Sequence, residues 1–279
     1  MPGRNSGSSP LPGRVVIFGV SGYIGGVVAN HFMESDDTPV AGYSSRDFDL
    51  LDPVQAHSAA LTLRADDAVV CSFAITRSVE ESWEALLKNA AMVQNLLTAI
   101  PSGGVHSIIA FSTVDVYGLP SAELPITEST VTAPDGYYSL SMDLCESLFA
   151  ISGPAGVPLT VLRLPGTYGR RDGGNSVVSR LIDQIRRSGS IQLAGGGTAR
   201  RDFLWDRDLG PVVAHFISEP KTTTVNVATG RSISMRHLVR IIGRSLEMSP
   251  RVEETPSGPR MGDFEFDISH LRHLMPEFK

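Results

Sequence analysis

Residues 15–25 read VVIFGVSGYIG, a short apolar run followed by three glycines spaced three residues apart. A mostly β-branched run that does not alternate with polar residues is typical of a strand buried on both faces. Gly19 allows a sharp turn after this strand, Gly22 lets the backbone approach a pyrophosphate, and Gly25 lets the next helix pack closely on the strand. The N-terminus of that helix presents free N–H groups to phosphate. The stretch therefore predicts a dinucleotide-binding turn, with a tight turn that holds no ligand as the alternative.

The rest of the first half continues this alternation of strands and helices. Apolar strands are predicted at residues 40–43, 68–72, 107–112 and 159–164, and helices at 23–34, 53–63, 79–100 and 138–151. Apolar strands that alternate with amphipathic helices predict an α/β fold with a doubly wound parallel sheet.

The pattern loosens after residue 165, which predicts a smaller C-terminal lobe. Helices are predicted there at 176–187, 207–218 and 235–246, and strands at 191–193 and 224–227. We expect a disordered tail at 1–13, the NAD(P)-binding domain at 14–165 and the smaller lobe at 166–279. In the alternative arrangement, some segments of the lobe return to the first domain.

Charge and composition exclude several classes of protein. A net charge of −6 over 279 residues argues against sequence-independent binding of nucleic acid, which needs a basic face. No apolar run approaches the ~20 residues that span a bilayer, and residues 1–14 lack the apolar core of an export signal. Cys71 and Cys145 are too few for a disulfide framework or a four-ligand zinc site. We therefore expect a cytoplasmic protein with no metal, no nucleic-acid partner and no membrane contact.

The end of the second predicted strand bears on the choice of cofactor. An NAD-preferring site carries an acidic residue there, which binds the ribose 2′-hydroxyl. Ser44, Ser45 and Arg46 stand there instead, and a guanidinium beside hydroxyls suits a 2′-phosphate. The sequence therefore favours NADP(H), and NAD(H) is the alternative if Arg46 is only an exposed loop residue.

Further motifs extend the comparison to one family. Residues 112–118, STVDVYG, resemble its Ser-Ser/Thr-x-x-Val-Tyr-Gly segment, and residues 163–169, RLPGTYG, resemble Arg-x-x-Asn-x-Tyr-Gly. Residues 195–203, GGGTARRDF, and 260–263, RMGD, are similar to its Gly-Asp-Gly-x-Gln-x-Arg-Asp-Phe and Arg-Pro-Gly-Asp segments. Over residues 14–267 the chain resembles the extended short-chain dehydrogenase/reductases, in the NAD-dependent epimerase/dehydratase family that acts on nucleotide sugars.

This resemblance implies a Rossmann-type sheet, a nucleotide-diphosphate sugar as partner, and a homodimer built on the helices at 79–100 and 138–151. It places Thr113 at the catalytic hydroxyl position, Asp115 where dehydratases carry a glutamate for β-elimination, and Arg201 and Arg260 on the substrate diphosphate. Together with the glycine turn, it predicts these cofactor-binding residues: Gly19, Ser21, Gly22, Tyr23, Ile24, Gly25, Ser44, Ser45, Arg46, Asp49, Leu50, Phe73, Ala74, Asn89, Ser112, Tyr138 and Leu164.

The chain departs from the family at its catalytic pair, Tyr-x-x-x-Lys. The resemblance places Tyr138 at the tyrosine position, where it would also contact substrate, and Met142 in the place of the lysine, with Glu146 fixing the register. No lysine occurs between Lys88 and Lys221. In the family, the ammonium of this lysine favours the phenolate form of the tyrosine. Without it, a tyrosine that titrates near pH ~10 is a poor base at pH 7 but still a proton donor.

The lost lysine therefore favours reduction over oxidation. Our leading hypothesis is an NADPH-dependent reductase of a nucleotide-linked keto-sugar, with a 4-keto-6-deoxy sugar as first choice, in which Tyr138 protonates the carbonyl oxygen with help from Thr113. One alternative is an NAD-dependent epimerase or dehydratase that uses Asp115 for proton transfer. The other is a non-catalytic, dinucleotide-sensing subunit.

Overall fold

The computed structural model describes residues 11–35, 38–101, 103–119, 124–255 and 262–278. At its centre is a six-stranded sheet in the order β10-β5-β4-β3-β1-β2, in which all neighbouring strands are parallel. The strands are β1 (Arg14–Phe18), β2 (Val40–Tyr43), β3 (Asp67–Cys71), β4 (Ser107–Thr113), β5 (Leu159–Leu164) and β10 (Thr223–Asn226). The predicted α/β fold with a Rossmann-type parallel sheet is confirmed. Most of the predicted tail, residues 1–10, lies outside the described residues.

Helices cover both faces of the sheet, because successive strand residues point to opposite sides. Val15 and Ile17 join one apolar core with helices α1 and α6, whereas Val16 and Phe18 join a second core with α2, α3 and α4. The helices are α1 (Tyr23–Ser35), α2 (Pro53–Ala60), α3 (Trp83–Ala99), α4 (Tyr137–Ser152) and α6 (Leu209–Ser218). The result is a three-layer sandwich whose two cores share one sheet.

The start of α3 differs from the sequence prediction. The predicted helix at 79–100 begins only at Trp83, because the Ser82 hydroxyl accepts the Ala85 N–H at 3.1 Å and caps the helix there. Residues 75–82 are therefore a loop at the carboxyl end of β3, and this loop reaches the site described below.

Three segments that follow residue 165 belong to the central sheet and its covering helices, namely β10, α6 and the last helix. β10 pairs with β5, and α6 packs in the same core as α1. The remaining elements form the smaller lobe around its own core, which includes Ile185 and Ile191. They are β6 (Gly166–Tyr168), α5 (Val177–Ser188), β7 (Ser190–Ala194), β8 (Arg200–Arg201), β9 (Phe203–Trp205), β11 (Ile233–Ser234), α7 (Met235–Ser245) and β12 (Arg251–Thr255). The last helix, α8 (Ser269–Leu274), returns to the core beside α1 and α6.

Two features are absent from the described residues. None of their helices combines the length and the apolar character needed to span a bilayer. No group of three or more His, Cys, Asp or Glu side chains among them could hold a metal ion.

Candidate active site

The turn after β1 forms a cradle that side chains would fill. Gly19 has a φ of 89°, a left-handed conformation that favours glycine, and a Cβ there would lie 2.8 Å from the Ser72 carbonyl oxygen. A Cβ on Gly25 would overlap the Gly19 carbonyl oxygen and the Ser72 hydroxyl. Helix α1 therefore begins directly on the turn, where its first N–H groups have no helical acceptors. This geometry fits the pyrophosphate of a dinucleotide. The predicted Ser21 and Gly22 lie in the same turn, and Tyr23 and Ile24 are the first two residues of α1.

Tyr23 is bound by Asp206, which lies directly before α6. Its hydroxyl donates to Asp206 Oδ2 at 3.2 Å. Burial, followed by the charge of Asp206, raises the pKa of Tyr23, so the hydroxyl stays protonated. The Tyr23 hydroxyl is therefore engaged within the protein, which leaves the backbone and ring of Tyr23 for the predicted contact with a cofactor.

The turn after β2 carries a carboxylate that the sequence analysis missed. Ser45 and Arg46 are exposed, as a site for a 2′-phosphate requires. However, Asp47 folds back into the same turn and accepts hydrogen bonds from the amide and the hydroxyl of Ser44, each at 2.8 Å. These two bonds hold the pKa of Asp47 below its usual value. The premise that this turn lacks an acidic group is therefore wrong.

The next predicted cofactor segment is anchored to α3. The Asn95 amide donates to the carbonyl oxygen of Leu50 at 2.9 Å, and Leu50 itself is buried. The Asp49 carboxylate accepts the Leu51 N–H at 3.0 Å, which shapes the turn. Asp49 and Leu50 thus lie in a fixed turn beside the end of β2.

Asn89 has a structural task that the family resemblance did not indicate. Its amide accepts the Ile75 N–H at 2.7 Å and donates to the Ile75 carbonyl oxygen and the Ser141 hydroxyl, both at 3.0 Å. This buried amide therefore holds the loop that follows Phe73 and Ala74. Any effect of Asn89 on cofactor binding is indirect, because both polar atoms of its amide are engaged within the protein.

Thr113 and Tyr138 line one cleft of about 620 Å³ between the sheet and the second lobe. The Thr113 hydroxyl accepts the Asp115 N–H at 3.2 Å, which leaves its own proton to be donated. Tyr138 lies half-buried in the first turn of α4. Leu164, at the end of β5, lines the same cleft. The predicted catalytic hydroxyls therefore come together.

Met142 is a packing residue. Its side chain is 7% exposed and lies in an apolar cluster with Val114, Tyr117 and Phe264, against which Tyr138 also packs. The side chain that replaces the lysine ammonium at this position is therefore apolar and packed among apolar neighbours. Met142, which stands at the position of the catalytic lysine, thus packs and carries no charge, and the site is apolar one helical turn after Tyr138.

A cation nevertheless lies beside Tyr138. The Arg77 guanidinium, from the loop between β3 and α3, is 5.5 Å from the centre of the Tyr138 ring and forms an ion pair with Asp115. From the same loop, Glu81 Oε1 accepts the Tyr138 N–H at 3.0 Å. Burial raises the pKa of Tyr138, the Arg77 charge acts against this rise, and the net change is upward. No motif of the sequence analysis pointed to Arg77 or Glu81.

A buried polar network holds β4, β5 and α4 together. Glu146 of α4 accepts a hydrogen bond from Ser112 at 2.5 Å and pairs with Arg163 of β5 at 2.6 Å. Arg163 also donates to the Tyr117 hydroxyl at 2.8 Å, and that hydroxyl donates to Asn226 of β10. Ser112, predicted to contact the cofactor, uses its hydroxyl in this network instead.

Arg201 is placed to bind an anion in the cleft. Its Nη1 donates to the Gly262 carbonyl oxygen at 2.6 Å, and its guanidinium lies over the Phe264 ring. Its Nη2 is buried without a hydrogen-bond partner among the described residues. Burial lowers the pKa of Arg201, against the opposing charge of Asp263. Arg260, the other predicted diphosphate ligand, lies outside the described residues. Arg180, which the sequence analysis did not single out, lines the same cleft.

Comparisons with known proteins agree with this architecture. A family model described as NAD dependent epimerase/dehydratase family matches residues 15–228. The dTDP-4-dehydro-6-deoxy-D-allose reductase from a Streptomyces species is 24% identical over 190 residues, which cover 65% of this chain and 58% of that protein. The chain spans between 43% and 60% of the length of the first curated relatives it matches.

Solved structures show the same fold. The structure of RMD from Pseudomonas aeruginosa complexed with NADPH has a TM-score of 0.80 and 21% identity, covering 95% of this chain and 93% of that chain. UDP-glucose 4-epimerase from Thermus thermophilus, complexed with NAD, has a TM-score of 0.81 and 20% identity, with the same coverage of 95% and 93%.

Proposed function

Because the chain belongs to the NAD dependent epimerase/dehydratase family, we propose that it is an NADPH-dependent reductase of a nucleotide-diphosphate-linked keto-sugar. A 4-keto-6-deoxy sugar is the substrate we favour. The relative from Streptomyces, a reductase of dTDP-4-dehydro-6-deoxy-D-allose, supports this choice.

The environment of Tyr138 is the observation that carries the assignment to reduction. Burial raises the pKa of its phenol, and Met142 supplies no charge that would favour the phenolate. A group that remains protonated at neutral pH is suited to give a proton and is poorly suited to take one. Oxidation of a hydroxyl, with which an epimerase or dehydratase of this family begins, needs the opposite.

The residues of the cleft divide the work of a ketone reduction. A bound reduced nicotinamide supplies the hydride that the carbonyl carbon takes up. Tyr138 gives its hydroxyl proton to the carbonyl oxygen, so that one hydride and one proton convert the ketone to an alcohol. Thr113 donates a second hydrogen bond to that oxygen, which stabilises its developing charge.

Arg201 supports the assignment to a diphosphate-linked substrate. A buried guanidinium nitrogen that has no hydrogen-bond partner among the described residues is costly unless a ligand accepts its hydrogen bond. Phosphate oxygens are strong acceptors for a guanidinium, and its planar fork can hold two of them. The neighbouring Arg200 differs, because it pairs with Glu265 and does not line the cleft.

The position of Asp115 argues against elimination. A dehydratase needs a carboxylate free to take a proton, and the Asp115 carboxylate pairs with Arg77. An ion pair favours the charged form of the carboxylate and weakens it as a base. We therefore place Asp115 among the groups that shape the site.

One observation favours a second candidate, an NAD-dependent epimerase. Asp47 places a carboxylate in the turn after β2, where an acidic residue would bind the ribose 2′-hydroxyl of NAD and repel the 2′-phosphate of NADP. Arg46 in the same turn has the opposite effect. Measured affinities for the two dinucleotides distinguish these readings.

We also propose that two copies of the chain pair through α3 and α4. These helices expose more apolar side chains than a monomer needs: Trp83, Leu87, Tyr137, Leu140 and Leu144. Sedimentation velocity tests the proposal, with a Leu144→Glu variant expected to be monomeric if the helices pair and unchanged in mass if they do not.

The proposed function is tested by incubating the protein with NADPH and a nucleotide-linked 4-keto-6-deoxy sugar. Consumption of NADPH with a product two mass units heavier supports it. A product of unchanged mass indicates an epimerase, loss of water indicates a dehydratase, and binding without turnover indicates a sensing subunit. Each of these three results overturns the proposal.

A further inference from the structure

The loop between β3 and α3 contacts Tyr138 at two points. Arg77 lies over the aromatic ring, 5.5 Å from its centre, and Glu81 accepts the backbone N–H of the same residue at 3.0 Å. Asp115, from the short helix Val114–Tyr117 after β4, pairs with the Arg77 guanidinium and keeps it in place. Three parts of the chain thus converge on one tyrosine.

The charged and titratable side chains near Tyr138 differ in sign and in position relative to its ring. Glu81, Asp115 and Asp135 line the smaller cavity beside Tyr138, and each carries a negative charge that disfavours a phenolate. Cys145, on α4, is buried, and burial raises the pKa of its thiol to about 12. Arg180 and Arg201 line the larger cleft on the side of the second lobe. Among the described residues, Arg77 is therefore the positive charge that contacts the ring itself.

From this geometry we propose that Arg77 is a positioning residue that supplies the positive charge beside Tyr138 that Met142 cannot supply. The inference rests on the proposed function, because it assigns Arg77 an effect on proton transfer by Tyr138. Arg77 lies in the loop over the face of the ring, whereas the family's lysine lies one helical turn further along the helix. The Arg77 charge lowers the free energy of the phenolate that forms when Tyr138 gives up its proton.

The size of the effect follows from the distance. If the 5.5 Å to the ring centre is taken as the distance between the two charges, the Arg77 charge moves the titration of the tyrosine by roughly 0.5 pH units in water and roughly 2 at an effective dielectric constant of about 20. The Arg77 side chain is 57% exposed and paired with Asp115, so the effect lies in the lower part of this range. Loss of the charge should raise the titration midpoint of Tyr138 by about one pH unit.

The titration of Tyr138 can be measured without any substrate. The full chain is labelled with fluorotyrosine, which titrates at a lower pH than tyrosine, and the Tyr138 signal is assigned in the ¹⁹F NMR spectrum by its loss in Tyr138→Phe. Arg77→Met should raise the midpoint by about one pH unit, and Arg77→Lys should restore it to within a few tenths. Arg207 provides a matched control, because its guanidinium lies 5.2 Å from the Trp205 ring, away from the cleft.

The inference is overturned if Arg77→Met leaves the midpoint unchanged or if Arg207→Met shifts it equally. It is also overturned if Arg77→Lys fails to restore the midpoint, since a charge effect does not depend on the shape of the cation. Failure of the proposed function has a different signature. A midpoint that shifts as expected in a protein that reduces no keto-sugar supports the charge assignment and refutes the reductase, whereas normal reduction with an unshifted midpoint does the reverse.

Discussion

Loss of Glu146 should destabilise the protein far more than loss of an exposed partner in an ion pair. Glu146 and Arg163 are 13% and 9% exposed, and the carboxylate accepts hydrogen bonds from Arg163 and from Ser112. Replacing Glu146 with alanine leaves the Arg163 guanidinium buried without its counter-charge. Breaking a buried pair in this way costs about 3–5 kcal/mol. We therefore expect the free energy of unfolding to fall by this amount.

Urea denaturation followed by far-ultraviolet circular dichroism measures this change. The control is Glu219→Ala, which removes the partner of Lys221 in a pair whose side chains are 61% and 42% exposed and which should cost less than ~1 kcal/mol. A double variant, Glu146→Leu with Arg163→Met, should cost much less than the sum of its single variants, because no unpaired charge remains. A Glu146→Ala variant that loses under ~1 kcal/mol would refute the argument that this network holds β4 and α4 together.

Three further predictions concern ligands and the lost lysine. Arg201→Met should weaken the binding of a nucleotide-diphosphate sugar by about 1.5–3 kcal/mol in calorimetry, and Arg200→Met should not; normal binding by both variants rules out the diphosphate assignment. NADPH should bind about ten-fold more tightly than NADH, a difference of ~1.4 kcal/mol. Arg46→Ala should largely erase this difference, and Asp47→Asn should widen it. Equal affinities in the unaltered protein contradict the choice of NADPH. Met142→Lys should move the alkaline rise of the reverse oxidation to lower pH, because an ammonium favours phenolate. The same change should lower the free energy of unfolding, since the charge enters an apolar cluster, and an unchanged pH profile in the folded variant counts against the role of this position.

Much of the fold could be predicted from local sequence patterns. Val15 and Val16 face opposite cores, and an apolar run that does not alternate with polar residues indicates such a strand, buried on both faces. The roles of Gly19 and Gly25 were likewise predictable, because the close approach of neighbouring backbone atoms requires a residue without a Cβ at each of these positions. The place of β10 in the central sheet was not predictable, because β10 and its partner strand β5 lie far apart in the chain.

The site divides in the same way. Tyr138 and Met142 could be placed from one motif on one helix, and Thr113 from the end of a predicted strand. The contact of Arg77 with Asp115 and Tyr138 joins a loop, a short helix and α4, and no spacing in the sequence encodes it. Asp47 was missed for a similar reason: only the folded turn shows that its carboxylate accepts a hydrogen bond from the Ser44 amide.

The rate of keto-sugar reduction by Tyr138→Phe, measured with NADPH across pH, tests the central claim most directly. The phenol is the proposed proton donor, so its loss should slow reduction by ~10²-fold or more while the affinities for NADPH and nucleotide sugar stay unchanged. Burial raises the pKa of Tyr138, so reduction by the unaltered protein should hold across neutral pH and fall only at alkaline pH. Reverse oxidation should be slow at neutral pH and rise as phenolate forms. An unaffected Tyr138→Phe variant together with fast oxidation at neutral pH would contradict the account and transfer the proton-transfer role to another group, with Asp115 the first to examine.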